Sequence, residues 1–243
     1  MTSIDIKGLT KRYGALTALN ALTLQVEQGE AIALLGVNGA GKTTAIKLLS
    51  CLTSPDEGDA TLGGYSIRTQ SACVKKIINV SPQETAVAKK LTVFENLQFI
   101  AELHGAPRAK AHEQVVRMIE ELGLGEVKDR RAGTLSGGWQ RRLSIAMALI
   151  SAPQILFLDE PTRGLDVLAR HELWQVIEKM KGKITVVLTT HYLEEAEALC
   201  DRIAILSKGK LVTVGTANEI KTLAGCERFE DAFVRLCAGE VEK

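Results

Sequence analysis

Gly36-Val37-Asn38-Gly39-Ala40-Gly41-Lys42-Thr43-Thr44 spells G-x-x-x-x-G-K-[ST], between the apolar run Ala31-Ile32-Ala33-Leu34-Leu35 and the helically spaced Ala45-Ile46-Lys47-Leu48-Leu49. Strand, loop and helix in that order read as a phosphate-binding loop. Its glycines remove Cβ atoms, so successive backbone N–H groups can curl around phosphate oxygens. Lys42 is placed to reach the β- and γ-phosphates, and the Thr43 hydroxyl to hold Mg²⁺. The positive N-terminal end of the helix adds to the attraction.

The chain around this loop has 243 residues, 46% hydrophobic and 24% charged, enough for one large domain or a domain with an inserted lobe. A formal net charge of +1 gives no global drive toward nucleic acid or an anionic membrane. Cys51, Cys73, Cys200, Cys226 and Cys237 form no C-x-x-C pair and sit mostly among apolar neighbours, as reduced cytosolic core residues do. Met1 to Gly14 holds no signal-peptide run, and no stretch approaches the roughly 18 apolar residues that a membrane span needs. A soluble, cytoplasmic chain is expected.

Upstream of the loop, Ser3 to Thr10 and Ala21 to Val26 alternate apolar and polar residues, predicting two short antiparallel strands. Tyr13, between them, is either packing or a platform for a nucleobase ring. Downstream, Ser54 to Gly58 reads as a turn, Ala60 to Gly64 as a short strand and Lys76 to Ser81 as a further strand. That strand must leave its sheet at Pro82, so Gln83 emerges at a strand end. From Leu91 to Leu122 the apolar spacing turns helical, broken at Gly105-Ala106-Pro107, and predicts an inserted helical lobe with a solvated charged face.

Thr134-Leu135-Ser136-Gly137-Gly138-Trp139-Gln140-Arg141-Arg142 then opens an apolar helix that Ser136 is placed to cap. Ser136, Gly137 and Gly138 offer N–H groups and a hydroxyl in a second anion nest, although a capped helix without a ligand explains them as well. Ile155-Leu156-Phe157-Leu158-Asp159-Glu160 is a buried parallel strand delivering two carboxylates to the crevice where open α/β sheets bind ligands. Asp159 is placed to hold Mg²⁺ and Glu160 to polarise a water. Asp166 follows as a cap, and Ile184 to Thr190 is another buried strand ending at His191, which suits contact with a γ-phosphate.

These motifs together resemble those of the nucleotide-binding subunit of an ATP-binding cassette transporter, over nearly the whole chain. Gly36 to Thr44 matches the Walker A loop, Gln83 the Q-loop, Leu135 to Gln140 the cassette signature, Ile155 to Glu160 Walker B, Gly164-Leu165-Asp166 the D-loop and His191 the switch histidine. The resemblance implies an α/β fold: a P-loop NTPase core with a mainly parallel sheet, an antiparallel β subdomain and an inserted α-helical subdomain. One domain is expected over 1–243. Residues 1–83 and 153–222 would form the core, 84–152 the helical subdomain and 223–243 a helical tail.

By resemblance, two such domains bind ATP head to tail, each nucleotide lying between the loop of one subunit and Ser136, Gly137 and Gly138 of the other, with Asp166 working across the interface. Gly36, Asn38, Gly39, Ala40, Gly41, Lys42, Thr43 and Thr44 would cradle the phosphates, while Tyr13 stacks on adenine. Thr43, Gln83 and Asp159 would position Mg²⁺. Glu160, His191, Gln83 and Lys42 would carry the hydrolysis of ATP to ADP and phosphate. Trp139, Val167 and Val37 depart from the family pattern without removing a catalytic group.

Within the family the stretch Thr189 to Glu197 looks most like bacterial multidrug, antibiotic or ion exporters. That implies a peripheral subunit on the cytoplasmic face of the membrane, working through separate integral membrane subunits with a second nucleotide-binding subunit, and with no nucleic-acid partner. The rival is a soluble cassette ATPase acting on nucleic acid or ribosomes. The absence of a coiled-coil insertion, a second cassette or a strongly basic segment in this sequence counts against it.

Overall fold

Strands that are apolar at every position need cover on both faces, and the computed structural model, which describes residues 1–238, supplies it. The chain begins with a hairpin, β1 (Thr2–Tyr13) and β2 (Leu16–Glu27), then runs through β3 (Ala31–Leu35), α1 (Lys42–Leu49), β4 (Glu57–Leu62), β5 (Tyr65–Ser66), α2 (Ser71–Ile77) and β6 (Ile78–Ser81). Helices α3 (Val93–Leu103), α4 (Arg108–Glu121) and α5 (Gly137–Leu149) precede β7 (Ile155–Asp159), α6 (Val167–Glu178), β8 (Thr185–Thr190) and α7 (Leu193–Leu199). The hairpin β9 (Arg202–Ser207) and β10 (Lys210–Gly215) leads into α8 (Ala217–Ala224) and α9 (Phe229–Ala238).

A six-stranded sheet in the order β10-β9-β3-β8-β7-β6 is parallel except at its β10 edge, and β2-β1-β4-β5 form a separate antiparallel sheet. Alternate residues of the parallel strands enter different cores. Ile32, Leu34, Ile155, Phe157 and Val187 pack with α1 and with Ile4, Ile6, Leu9 and Leu22 of the antiparallel sheet. Leu156, Leu158, Val186 and Leu188 face the other way, into the apolar cluster that holds Leu97 of α3, Val115 of α4, Leu143 and Ile145 of α5, and Leu173 of α6. Ala33 and Leu35 close a third cluster under α7, α8 and α9.

Three local expectations change. The first hairpin is longer than its alternating pattern, because pairing continues through Arg12↔Thr17 and Tyr13↔Leu16 to a turn at Gly14, whose φ of 57° suits glycine. The strand expected over Lys76 to Ser81 starts only at Ile78, since the adjacent Ile77 and Ile78 belong to different elements, Ile77 closing α2. The segment expected as one strand, Ala60 to Gly64, ends at Leu62 and turns at Gly63-Gly64 into β5. Of the tail expected over 223–243, residues 239–243 lie outside the described residues.

Candidate functional site

Parallel strands bring their carboxyl ends to one edge, and β3, β7 and β8 do so here. At that edge a cavity of about 560 Å³ is lined by Asn38 to Thr44 together with Tyr13, Thr17, Ala18, Gln83, Glu160, Arg163 and Lys208. Gly41 has φ 104°, and a Cβ there would meet the Ala18 carbonyl oxygen at 2.6 Å, so only glycine fits. Gly36 lies at the base of the loop, where a Cβ would sit 2.8 Å from that of Ala40. Tyr13 stays half-exposed at the mouth, with Lys11 Nζ 5.6 Å from its ring centroid.

Lys42 is buried, and its Nζ donates to the carbonyls of Gly36 (2.6 Å) and Val37 (3.2 Å) while lying 3.8 Å from Glu160 Oε1. Burial lowers its pKa, against the pull of the Glu160 and Asp159 carboxylates. Glu160 follows the last residue of β7 with φ 45°, a left-handed conformation unusual for a residue with a side chain. Its N–H is shared between the Thr189 carbonyl (3.1 Å) and the Thr189 hydroxyl (3.0 Å). Its carboxylate is 7% exposed, with Oε1 3.3 Å from His191 Nδ1 and Oε2 3.7 Å from Arg163. Oε2 has no hydrogen-bond partner among the described residues, a buried acceptor on a residue that lines the cavity.

Asp159 accepts from the Thr189 hydroxyl at 2.5 Å and from Thr43 at 3.4 Å, both on Oδ1. A carboxylate and a hydroxyl at the foot of the phosphate loop are hard oxygen donors, the set that Mg²⁺ takes alongside phosphates and water. Among the described residues no group of three or more His, Cys, Asp or Glu could hold a metal ion without such extra ligands.

The second nest is elsewhere. Ser136 is the N-cap residue of α5, but its side chain makes no cap hydrogen bond, contrary to the expectation from sequence; the hydroxyl is exposed instead. Gly137 and Gly138 lie beside Leu165 and Ala169, so this nest flanks the Gly164-Leu165-Asp166 turn rather than the phosphate loop. Asp166 does cap α6, accepting from the Ala169 N–H at 2.9 Å. The unusual Trp139 has its ring centroid 4.7 Å from the guanidinium of Arg142 on the same helix, which in turn lies 2.6 Å from Glu172 of α6.

Several residues escaped the sequence reading. Thr189 holds both Asp159 and Glu160, and its signal is register: it is the β8 neighbour of Asp159. Arg163, immediately before the Gly164-Leu165-Asp166 turn, and Lys208, in the turn between β9 and β10, line the cavity although no motif includes them. Arg141 is 4% exposed and shares the buried face of α5 with Ile145 and Ala148, an arginine in an apolar helical stripe. Glu195 is wholly buried beneath Thr162, Thr190 and Trp174, and burial raises its carboxyl pKa.

Residues 19–163 match the ABC transporter family. The chain is 42% identical over 226 residues to the doxorubicin resistance ATP-binding protein DrrA of Mycobacterium tuberculosis, covering 92% of this chain and 68% of that protein. It is 40% identical over 233 residues to Nod factor export ATP-binding protein I of Rhizobium etli, covering 95% and 73% respectively. A solved dimeric ATP-binding cassette in a post-hydrolysis state, bound to ADP and Pi, matches with a TM-score of 0.78 at 25% identity, over 88% of this chain and 98% of that one.

Proposed function

The chain belongs to the ABC transporter family, and from that premise and the geometry of its crevice we propose that it binds and hydrolyses ATP in a head-to-tail pair to drive export through separate integral membrane subunits. The observation that carries this reading is the convergence of Lys42, Glu160 and the phosphate loop on one cavity, with the Ser136-Gly137-Gly138 nest outside it. One chain supplies each half of a nucleotide site but closes neither, so ATP joins two copies and its hydrolysis removes the contacts that favoured the closed pair.

The phosphates sit on the N–H groups of Asn38 to Thr44 at the start of α1, and Lys42 exchanges its carbonyl partners for phosphate oxygens. Tyr13 offers its exposed face to the adenine. Thr43, Asp159 and the side chain of Gln83 are the groups that would hold Mg²⁺, which when bound supplies charge neutralisation of the phosphates. Glu160 orients and deprotonates the attacking water through its unpartnered oxygen, and His191, 3.3 Å away, steadies that carboxylate and the γ-phosphate. Asp166 and the exposed Ser136 hydroxyl act across the interface between copies. Among the described residues no helix is long and apolar enough to cross a membrane. In this proposal the export path lies in partner subunits, with this chain docked at their cytoplasmic side.

Purified protein tests the core of the proposal. Phosphate release from ATP that requires Mg²⁺, together with a doubling of mass by light scattering when ATP is trapped unhydrolysed, is the expected result. A chain that hydrolyses ATP without ever pairing would overturn the shared-site reading. Recovery of an integral membrane subunit with the tagged chain from detergent-solubilised membranes tests the transport part, and recovery with ribosomes or DNA would refute it.

A further inference from the structure

We propose that Arg141 is a positioning residue that ties the Ser136-Gly137-Gly138 nest to Gln83 and to the Asp159–Glu160 strand end of the same subunit, so that the two nucleotide-contacting segments shift together. The inference rests on the ATPase reading given above. A guanidinium that is 4% exposed needs its charge and donors satisfied, yet among the described residues no carboxylate bonds to Arg141. It spends its donors on backbone carbonyls instead. Nε donates to Pro161 at 2.8 Å, one terminal nitrogen to Asp159 at 2.7 Å, and the other to Pro82 and, at 3.5 Å, to Gln83.

The partners belong to two separate pieces of backbone. Pro82 and Gln83 lead out of β6, and Asp159 and Pro161 bracket Glu160 at the end of β7. The arginine itself lies in the first turns of α5, five residues after Ser136. A planar fork with donors in fixed directions ties three pieces at once, which a lysine ammonium reaches poorly. Burial lowers its pKa to about 10, so it stays cationic at neutral pH.

Two further polar ties continue the attachment along α5 and just beyond its end. The Ser144 and Ser81 hydroxyls are 3.0 Å apart, and the Asn79 amide donates to the Ser151 hydroxyl at 3.2 Å. By contrast, the clustering of α3 and α4 with α5 is apolar, through residues such as Leu97, Val115 and Leu143, and apolar surfaces slide without a preferred register. Polar ties fix register. The position of Gln83, which touches the nucleotide cavity, is thereby transmitted to Ser136 through Arg141, a path of hydrogen bonds inside one chain.

The test compares Arg141→Lys and Arg141→Met with the wild type in steady-state ATP hydrolysis, in nucleotide binding by fluorescence, and in thermal unfolding. The expected outcome for Arg141→Lys is a KM for ATP within about threefold and a kcat at least tenfold lower, because the loop that holds ATP is untouched while the nest and the carboxylate lose their common anchor. Addition of millimolar guanidinium to Arg141→Ala should recover part of kcat. A folded Arg141→Lys or Arg141→Met with wild-type kcat overturns the proposal, as does a loss of kcat that only follows lowered stability and is restored by cooling.

Hydrogen exchange on the wild-type chain is decisive even if every variant fails to fold. On adding ATP, amides of residues 83–88 and of 136–142 should change protection together; a change in one segment without the other refutes the tie. Failure of the wild type to bind ATP would instead sink the ATPase reading.

Discussion

Replacing Glu160 by Gln separates binding from chemistry, because the amide keeps the size and the left-handed backbone position of the carboxylate and removes only its charge. Lys42 Nζ lies 3.8 Å from Glu160 Oε1, and both side chains are nearly buried. At an effective dielectric near 20, unit charges at such a distance attract by roughly 4 kcal/mol. An arriving γ-phosphate feels a repulsion from Glu160 of similar order, so the neutral variant should hold ATP at least as tightly as the wild type. Lys42 keeps its bonds to the Gly36 and Val37 carbonyls, so the loop stays folded.

The chemical step loses its proton acceptor, which is worth about 10²- to 10⁴-fold, or roughly 3–5 kcal/mol on the barrier. Phosphate release at saturating ATP should therefore fall by at least about a hundredfold, with KM unchanged or lower, and ATP should hold the paired form long enough to be isolated by size-exclusion chromatography. Hydrolysis at the wild-type rate would refute the role of Glu160. A weakened ATP affinity that accounts for the whole loss would reassign it to binding.

Gly41→Ala should abolish ATP binding in a titration with fluorescent nucleotide, because the new Cβ meets the Ala18 carbonyl at 2.6 Å at a φ of 104°. Ser136→Arg changes an exposed residue outside the cavity, so nucleotide should still bind the single chain while pairing and turnover are lost, read by light scattering and phosphate release. Phe157→Ala, at a fully buried position, should cost about 3–5 kcal/mol of stability in urea unfolding. Glu195→Gln tests a buried acid whose pKa is raised by burial. The native state retains this proton where the unfolded chain has lost it, so stability from this group falls as pH rises above the unfolded value and through the folded one. The variant's urea midpoint should therefore exceed the wild type's at neutral pH, with the gap closing as pH drops toward the ordinary carboxylate value; an unchanged gap across that range would show that Glu195 stays ionised.

What the sequence made legible was whatever depends on local order. The strand-loop-helix around Gly36 to Thr44 and the apolar runs of β7 and β8 announce themselves because each is contiguous and each has one period. The meeting of Lys42 with Glu160 was reachable only through the motif order, since nothing local brings those two positions within 3.8 Å. Thr189 and Arg141 were missed for a physical reason. Their roles are fixed by neighbours on other strands, and a threonine in a strand or an arginine in a helix carries no local mark of what it holds. Ser136 shows the opposite error: a residue type suited to capping sits at the cap position, yet its exposed hydroxyl makes no cap hydrogen bond.

The placing of β3 between β8 and β9 has a cost during synthesis. The Gly29 N–H, just ahead of β3, bonds to the hydroxyl of Thr185, 156 residues later in the chain. At about 5–20 residues per second, the ribosome leaves the phosphate loop without its flanking strands for on the order of ten seconds. During that interval the apolar Ala31-Ile32-Ala33-Leu34-Leu35 has an unpaired edge on each side, the kind of segment that aggregates or calls for a chaperone. The nucleotide cradle is thus among the first parts of the molecule to be made and among the last to be assembled.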